Sequence, residues 1–147
     1  MPRKPTIDDA RLILELYDLR REAELRKARQ WWLITFWPKS ADDFIKVATA
    51  MGSEENNWLR QVGNYWGIAL SFVSNGVLNE KLFFQLSFCG EVYFIFAKVR
   101  PFLKEIREKM NNPELFVNME KTIMGSKIAR EQFAKVEARV SAMRQQK

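Results

Sequence analysis

At 147 residues, with 47% apolar and 29% charged residues, the chain has the length and balance of one folded domain rather than a disordered or fibrous protein. It carries 24 Lys+Arg against 18 Asp+Glu, a formal +6, with no histidine and one cysteine, Cys89. The lack of histidine excludes Ser-His-Asp and Cys-His catalysis within one chain, His-containing zinc sites and Glu-x-x-His di-iron bundles. A lone cysteine cannot form an internal disulfide and fits a reducing compartment.

Helical periodicity dominates, so the expected fold is all-α: one domain over residues 1–147, a bundle of five to seven helices with long first and last members. Residues 1–5 read as a disordered basic start, followed by a charge-rich amphipathic run rather than the apolar core of a secretory signal. Thr6 and Asp9 form a capping box. From Ile7 the apolar positions Leu12, Ile13, Leu16, Tyr17, Leu19 and Ala23 recur at helical steps, predicting a continuous helix to Trp37, about 45 Å long at 1.5 Å per residue. Pro38 ends it. Ser40 with Asp43 caps a short second helix that stops at Gly52, and Ser53 caps a third running to Asn75-Gly76. Asn79 caps a fourth helix that is apolar nearly all round as far as Val99, the expected centre of the core. Arg100-Pro101 breaks or kinks it. Asn112-Pro113, with Asn at the cap and Pro at the first helical position, predicts a helix to Met124. After Gly125 a final amphipathic basic helix fills residues 126–147. The apolar run from Leu82 to Val99 is interrupted by Gln85 and Glu91, and a mid-membrane carboxylate costs about 2.5–3.5 kcal/mol, so no membrane span is expected.

Four constellations stand out. Glu91 is the only carboxylate in the apolar run from Leu82 to Lys98 and needs a partner if buried; Arg60 and Asn64 are the candidates for a buried polar network. Gly63 and Gly67 share one face of the third helix, where each costs about 1 kcal/mol relative to Ala. Such a pair implies close approach of another helix or, less often, a ligand on bare backbone. Trp31, Trp32, Phe36 and Trp37 cluster at the end of the first helix, as a core or an interface anchor. Ala129, Phe133, Val136, Val140 and Met143 follow the 4-3-4-3 spacing of a coiled-coil seam. The opposite face of that helix carries Lys127, Arg130, Lys135, Arg139, Arg144 and Lys147 against Glu131 and Glu137. Cys89, on an apolar helix, reads as an inert core thiol. No Walker A loop, G-x-G-x-x-G, G-x-S-x-G, S-x-x-K or EF-hand loop occurs. The pattern assigns no catalytic residue, no cofactor and no metal.

Several stretches are similar to a family of small bacterial helical proteins catalogued only as a domain of unknown function: L-I-L-E-L-Y-D-L-R-R-E (Leu12 to Glu22), W-L-R-Q-V-G-N-Y-W (Trp58 to Trp66), N-G-V-L-N-E (Asn75 to Glu80), R-P-F-L-K-E-I-R-E-K (Arg100 to Lys109) and N-P-E-L-F (Asn112 to Phe116). The final basic helix has no counterpart in that resemblance. The likeness implies a helical fold and brings no activity, cofactor or site residue.

The favoured expectation is therefore a non-catalytic cytoplasmic interaction or regulatory protein acting through helix–helix contacts. A homodimer is expected, with Trp31, Trp32 and Trp37 or Phe133, Val136 and Val140 at its interface. Two alternatives stay open: a basic nucleic-acid-associated protein using the final helix, and a small-ligand-binding protein or minor enzyme centred on Glu91.

Overall fold

A computed structural model describes residues 3–147. Among them every regular element is helical and there is no strand. The helices are more numerous and shorter than the five to seven expected, because two predicted long elements are interrupted.

The expected helix from Ile7 to Trp37 is three pieces: α1 (Ile7–Leu19), α2 (Ala23–Gln30) and a π turn, Trp31–Thr35. The break at residues 20–22 has a side-chain cause. Glu22 caps α2 by accepting from the Leu25 N–H at 2.8 Å. The carbonyl of Arg21, freed by the break, accepts from Arg26 at 2.7 Å. A periodicity reading sees only that apolar spacing continues; it does not see a glutamate turned back as a cap. The π turn closes with Phe36 N–H on Trp31 O at 2.8 Å, and Pro38, lacking an N–H, stops any continuation.

Next come α3 (Ala41–Thr49), capped by Ser40, and α4 (Glu54–Ser74), capped by Ser53, both as expected. Gly52 and Gly76 follow these two helices with φ of +87° and +73°, the left-handed conformation that ends a helix without steric cost only at glycine. The expected fourth helix is split into α5 (Glu80–Phe83), capped by Asn79, and α6 (Leu86–Val99). The split lets two consecutive phenylalanines bury in different directions: Phe83 packs edge-on to Trp66 and Phe88, while Phe84 stacks on Tyr93. A 3₁₀ turn at Arg100–Phe102 marks the expected kink and leads into α7 (Leu103–Lys109). The helix expected from Asn112-Pro113 begins later, as α8 (Val117–Gly125). The Asn112 side chain accepts from Glu114 N–H in a local turn instead, and Arg107 Nε holds the Leu115 carbonyl at 2.9 Å, so residues 112–116 stay a loop. The last helix, α9 (Lys127–Gln145), is capped by Ser126.

α6 is the centre of the core, with Phe88, Cys89, Val92, Tyr93 and Ile95 to Val99 all buried. α9 lies along it: Phe133 sits between Tyr93 and Phe96, 6.3 and 5.2 Å between ring centres.

Of the expected disordered basic start, residues 1–2 lie outside the described residues, and Arg3 is tied down. Both its terminal nitrogens donate to Asp9 at 2.6 Å, and one also reaches the Val77 carbonyl. Asp9 accepts from the backbone of Thr6 and of Asn79 as well, so this buried carboxylate clasps the chain start to the α4–α5 loop. The Arg3 guanidinium, followed by these backbone donors, holds the Asp9 carboxyl well below the usual carboxylate range. A carboxyl whose folded pKa is depressed contributes stability above its unfolded pKa of about 4, and that contribution disappears as pH falls through the folded value. Melting temperatures measured from pH 7 down to pH 2 should therefore fall for the wild type. Asp9→Asn should melt lower at pH 7 and show a shallower acid dependence; two parallel curves would mean that the clasp does not contribute.

Candidate functional site

Glu91 is buried as expected, its side chain 4% exposed, but its partners differ from the pair predicted. Arg29 Nε donates to Oε2 at 2.7 Å and Trp66 Nε1 donates to Oε1 at 2.9 Å. The Arg20 guanidinium stands 3.7 Å from Oε2, donates to the Phe88 carbonyl at 3.0 Å and lies over the rings of Tyr17, Trp66 and Phe88. Arg60 is elsewhere: it donates to Asn56 and Asn57, one turn back on its own helix, and Asn64 is exposed. The reason is rotational. α4 presents Trp66 to α6, whereas Arg60, Asn64 and Gly67, at four- and three-residue steps, lie on another face. Arg20 and Arg29, unassigned in the sequence reading, supply the charge. They were hidden because they looked like members of a solvated basic face beside Arg21, Arg26 and Lys27. With both carboxylate oxygens occupied, this cluster binds helices to one another.

The face that carries Arg60, Gly63, Asn64 and Gly67 opens instead into a groove of about 520 Å³ between α4, α3 and the loop leading into α8. Its floor is the two glycines with Leu59; Phe44 and Ala48 form one wall and residues 115–119 the other. Arg60, Asn64, Asn112, Glu114 and Asn118 stand round the rim, all exposed. Phe116 is held at φ +58°, an uncommon conformation for a bulky residue, with its ring edge-on to Phe44. A side chain built at Gly63 or Gly67 would meet no atom within 4 Å. The glycine pair therefore does not serve close approach of another helix of this chain. An apolar floor with a few convergent polar groups, in this size range, is the usual form of a binding site.

The two residue sets expected at a dimer interface lie inside the chain's own core. Trp31 and Trp32 are buried, and Trp31 stacks on Phe36 at 4.5 Å. Trp37 is half-buried against Phe94. Phe133, Val136 and Val140 are buried, and Phe133 packs on α6. A coiled-coil spacing specifies an apolar seam but not whose helix fills it, and here the filler is intrachain. The basic face of α9 is also partly used internally: Arg144 donates to the Lys98 carbonyl at 2.7 Å, Arg130 to the Met124 carbonyl, and Lys147 lies over the Trp37 ring.

Lys98 is a second buried charge on α6. Its Nζ donates to the carbonyls of Trp32, Leu33 and Phe36 and lies 3.9 Å from the centre of the Trp37 ring. It thus satisfies the carbonyls that the π turn leaves without backbone partners. Burial, followed by the nearby Lys147 and Arg144 charges, pushes the ammonium down to about 7, while three carbonyl acceptors require all three of its N–H groups and favour the charged form. The one visible signal was a lysine closing an otherwise apolar run. Cys89 is a buried free thiol, pushed up to about 11 by burial, as expected of an unreactive core cysteine. Among the described residues no three His, Cys, Asp or Glu side chains gather as a metal site, and no helix is long and apolar enough to cross a membrane.

Removing the Glu91 charge leaves Arg20 and Arg29 uncompensated, so Glu91→Gln should lower stability by about 3 kcal/mol in urea unfolding. A change below about 0.5 kcal/mol would show that the cluster is a solvated pair rather than the tie between helices. Lys98→Met keeps the side-chain volume but orphans three buried carbonyls, and should cost about 2–4 kcal/mol in the same measurement. A neutral outcome would mean that water takes over the carbonyls.

Searches for similar curated proteins and for similar solved structures find no match. The family model described as Domain of unknown function (DUF4760) matches residues 5–125, which takes in α1 to α8 with Glu91, Lys98 and the whole groove and leaves α9 outside. The chain belongs to that family.

Proposed function

We propose that the protein is a non-catalytic interaction module whose docking site is the groove over Gly63 and Gly67, and that its partner contributes an apolar helical segment. The observation that carries this reading is the bare face of α4: two mid-helix glycines, each unfavourable by about 1 kcal/mol relative to Ala, border open space rather than a neighbouring helix. Glycine at i and i+4 lets another backbone approach closely, and the apolar walls accept the ridge of an amphipathic helix. The rim residues Arg60, Asn64, Asn112 and Asn118 orient a partner by hydrogen bonding, and Glu114, the one carboxylate lining the groove, has no second acid–base side chain across from it. This supports binding over chemistry at the groove. The buried free thiol of Cys89 suits a reducing compartment, so a cytoplasmic setting is part of the proposal. Self-association is also part of it, on a surface other than the buried aromatic cluster and the α9 seam.

Substitution at the glycines has opposed expected effects on stability and on binding. Gly63→Ala and Gly67→Ala should each raise stability by about 0.5–1 kcal/mol, because the helical backbone suits Ala and nothing obstructs the added methyl. A photo-crosslinking residue at Asn64 should capture a protein partner in cells, and Gly67→Leu should abolish that adduct while the protein remains folded. Loss of stability on Gly→Ala would show that the glycines serve the fold. An adduct that survives Gly67→Leu, or a captured small molecule in place of a protein, would overturn the helix-docking reading.

A further inference from the structure

α1 carries two apolar stripes, and only one of them is used. Leu12, Ile13 and Leu16 pack inward, where the Tyr65 hydroxyl donates to the Leu16 carbonyl. Ile7, Ala10, Leu14 and Tyr17 form the second, at the 3-4-3 spacing of a coiled-coil seam. All four face solvent, with Ile7 73%, Leu14 68% and Tyr17 51% exposed. Exposed apolar residues scattered singly need no explanation; four in register along one helix do.

The charges beside this stripe indicate what covers it. Arg11 and Asp18, each one position past a stripe residue (Ala10 and Tyr17), flank the stripe with opposite sign and lie symmetrically about the point between Leu14 and Glu15. At present they pair only locally, Arg11 with Asp8 at 3.5 Å and Arg21 with Asp18 at 3.4 Å, and every one of these side chains is more than 70% exposed. Such pairs contribute little and are free to exchange partners. An identical helix laid antiparallel on the stripe would place Leu14 on Leu14 at the two-fold axis and the small Ala10 against the large Tyr17. Arg11 would then lie beside Asp18 of the other copy, and the helix dipoles would be opposed. A parallel copy would set Arg11 opposite Thr6 and Asp18 opposite Ile13, with no charge pair formed.

We propose that the exposed face of α1 is a self-complementary interface on which a second copy of this chain packs its own α1 antiparallel. Two-fold symmetry repeats the contact, so the Arg11–Asp18 pair is made twice. One helix face from each copy buries less than the roughly 1,200–2,000 Å² of a standard interface, so the dimer is reversible and depends on concentration.

Sedimentation equilibrium of the full chain over a concentration series tests this. The wild type should pass reversibly from monomer to dimer, and Leu14→Glu should remain monomeric. Arg11→Asp and Asp18→Arg should each weaken the dimer about tenfold by setting like charges together, and the double variant Arg11→Asp/Asp18→Arg should return to within about threefold of wild type. Circular dichroism should show unchanged helicity in all of them, since each site is exposed, and Gly67→Leu should leave the dimer intact because the groove is a separate surface. A wild type that stays monomeric throughout, a dimer that survives Leu14→Glu, or a double variant no tighter than the single ones would overturn the proposal.

Discussion

The arrangement of the helices depends on a single buried carboxylate. Burying Glu91 costs several kcal/mol in lost hydration, and this is offset only if both oxygens find donors of good geometry. Trp66 of α4 supplies one donor and Arg29 of α2 the other, with Arg20, just past α1, close by. One side chain of α6 thus fixes α2 and α4 and sets where α1 must end. The chain turns at residues 20–22 so that two arginines nine positions apart reach the same carboxylate. Cation–π contacts of Arg20 with Trp66 and Phe88 stabilise the second, otherwise weakly paired guanidinium.

Lys98 repeats the device with the sign reversed. It stands seven residues after Glu91, two turns along the same face of α6. The groups it binds, at residues 32 to 36, begin three residues after Arg29. The α2–π-turn segment therefore runs alongside α6 in the same direction, pinned at one end by a carboxylate that takes a guanidinium and at the other by an ammonium that takes carbonyls. Trp31 lies between the pins and Trp32 at the second of them, so both indoles are drawn into the core. The π turn is explicable in the same terms: widening the last turn turns several carbonyls toward one ammonium, which a regular helix would have kept for its own N–H groups.

What was legible in the sequence was local, and what was hidden was tertiary. Thr6, Ser40, Ser53 and Asn79 all cap helices as their types and spacings indicate. Glu22 as a cap, the loop at residues 112–116 held by Arg107, and the split between Phe83 and Phe84 depend on partners elsewhere in the chain, and no window of neighbouring residues contains them. The same limit divides the candidate site. That Glu91 would be buried follows from its neighbours. That its partner would be Arg29, 62 positions away, does not. Gly63 and Gly67 share one face of α4 as their spacing indicates, but Arg60 and Asn64, expected beside Glu91, stand on the rim of the groove that this face opens into. Periodicity also located two seams without saying which was free: the α9 stripe is filled from within, whereas Tyr17 and Leu19, counted among the inward residues of the first helix, are exposed.

The position of α9 sharpens that last point. It lies beyond the span shared with the family, yet Phe133 and Val140 are buried and close one side of α6 over Tyr93 and Phe96. Without that cover α6 would present an aromatic face to water, the kind of surface that drives association. α9 supplies that cover from within the chain. Its cations follow from this placement: the surface turned away from α6 must be polar, and near its C-terminal end Arg144 and Lys147 fold back to the Lys98 carbonyl and the Trp37 ring. Lys127, Lys135 and Arg139 stay exposed on the outer face of α9, so only part of its charge is used within the chain. With the α9 seam filled from within, the apolar surfaces left uncovered include the face of α4 at the groove and the outer stripe of α1.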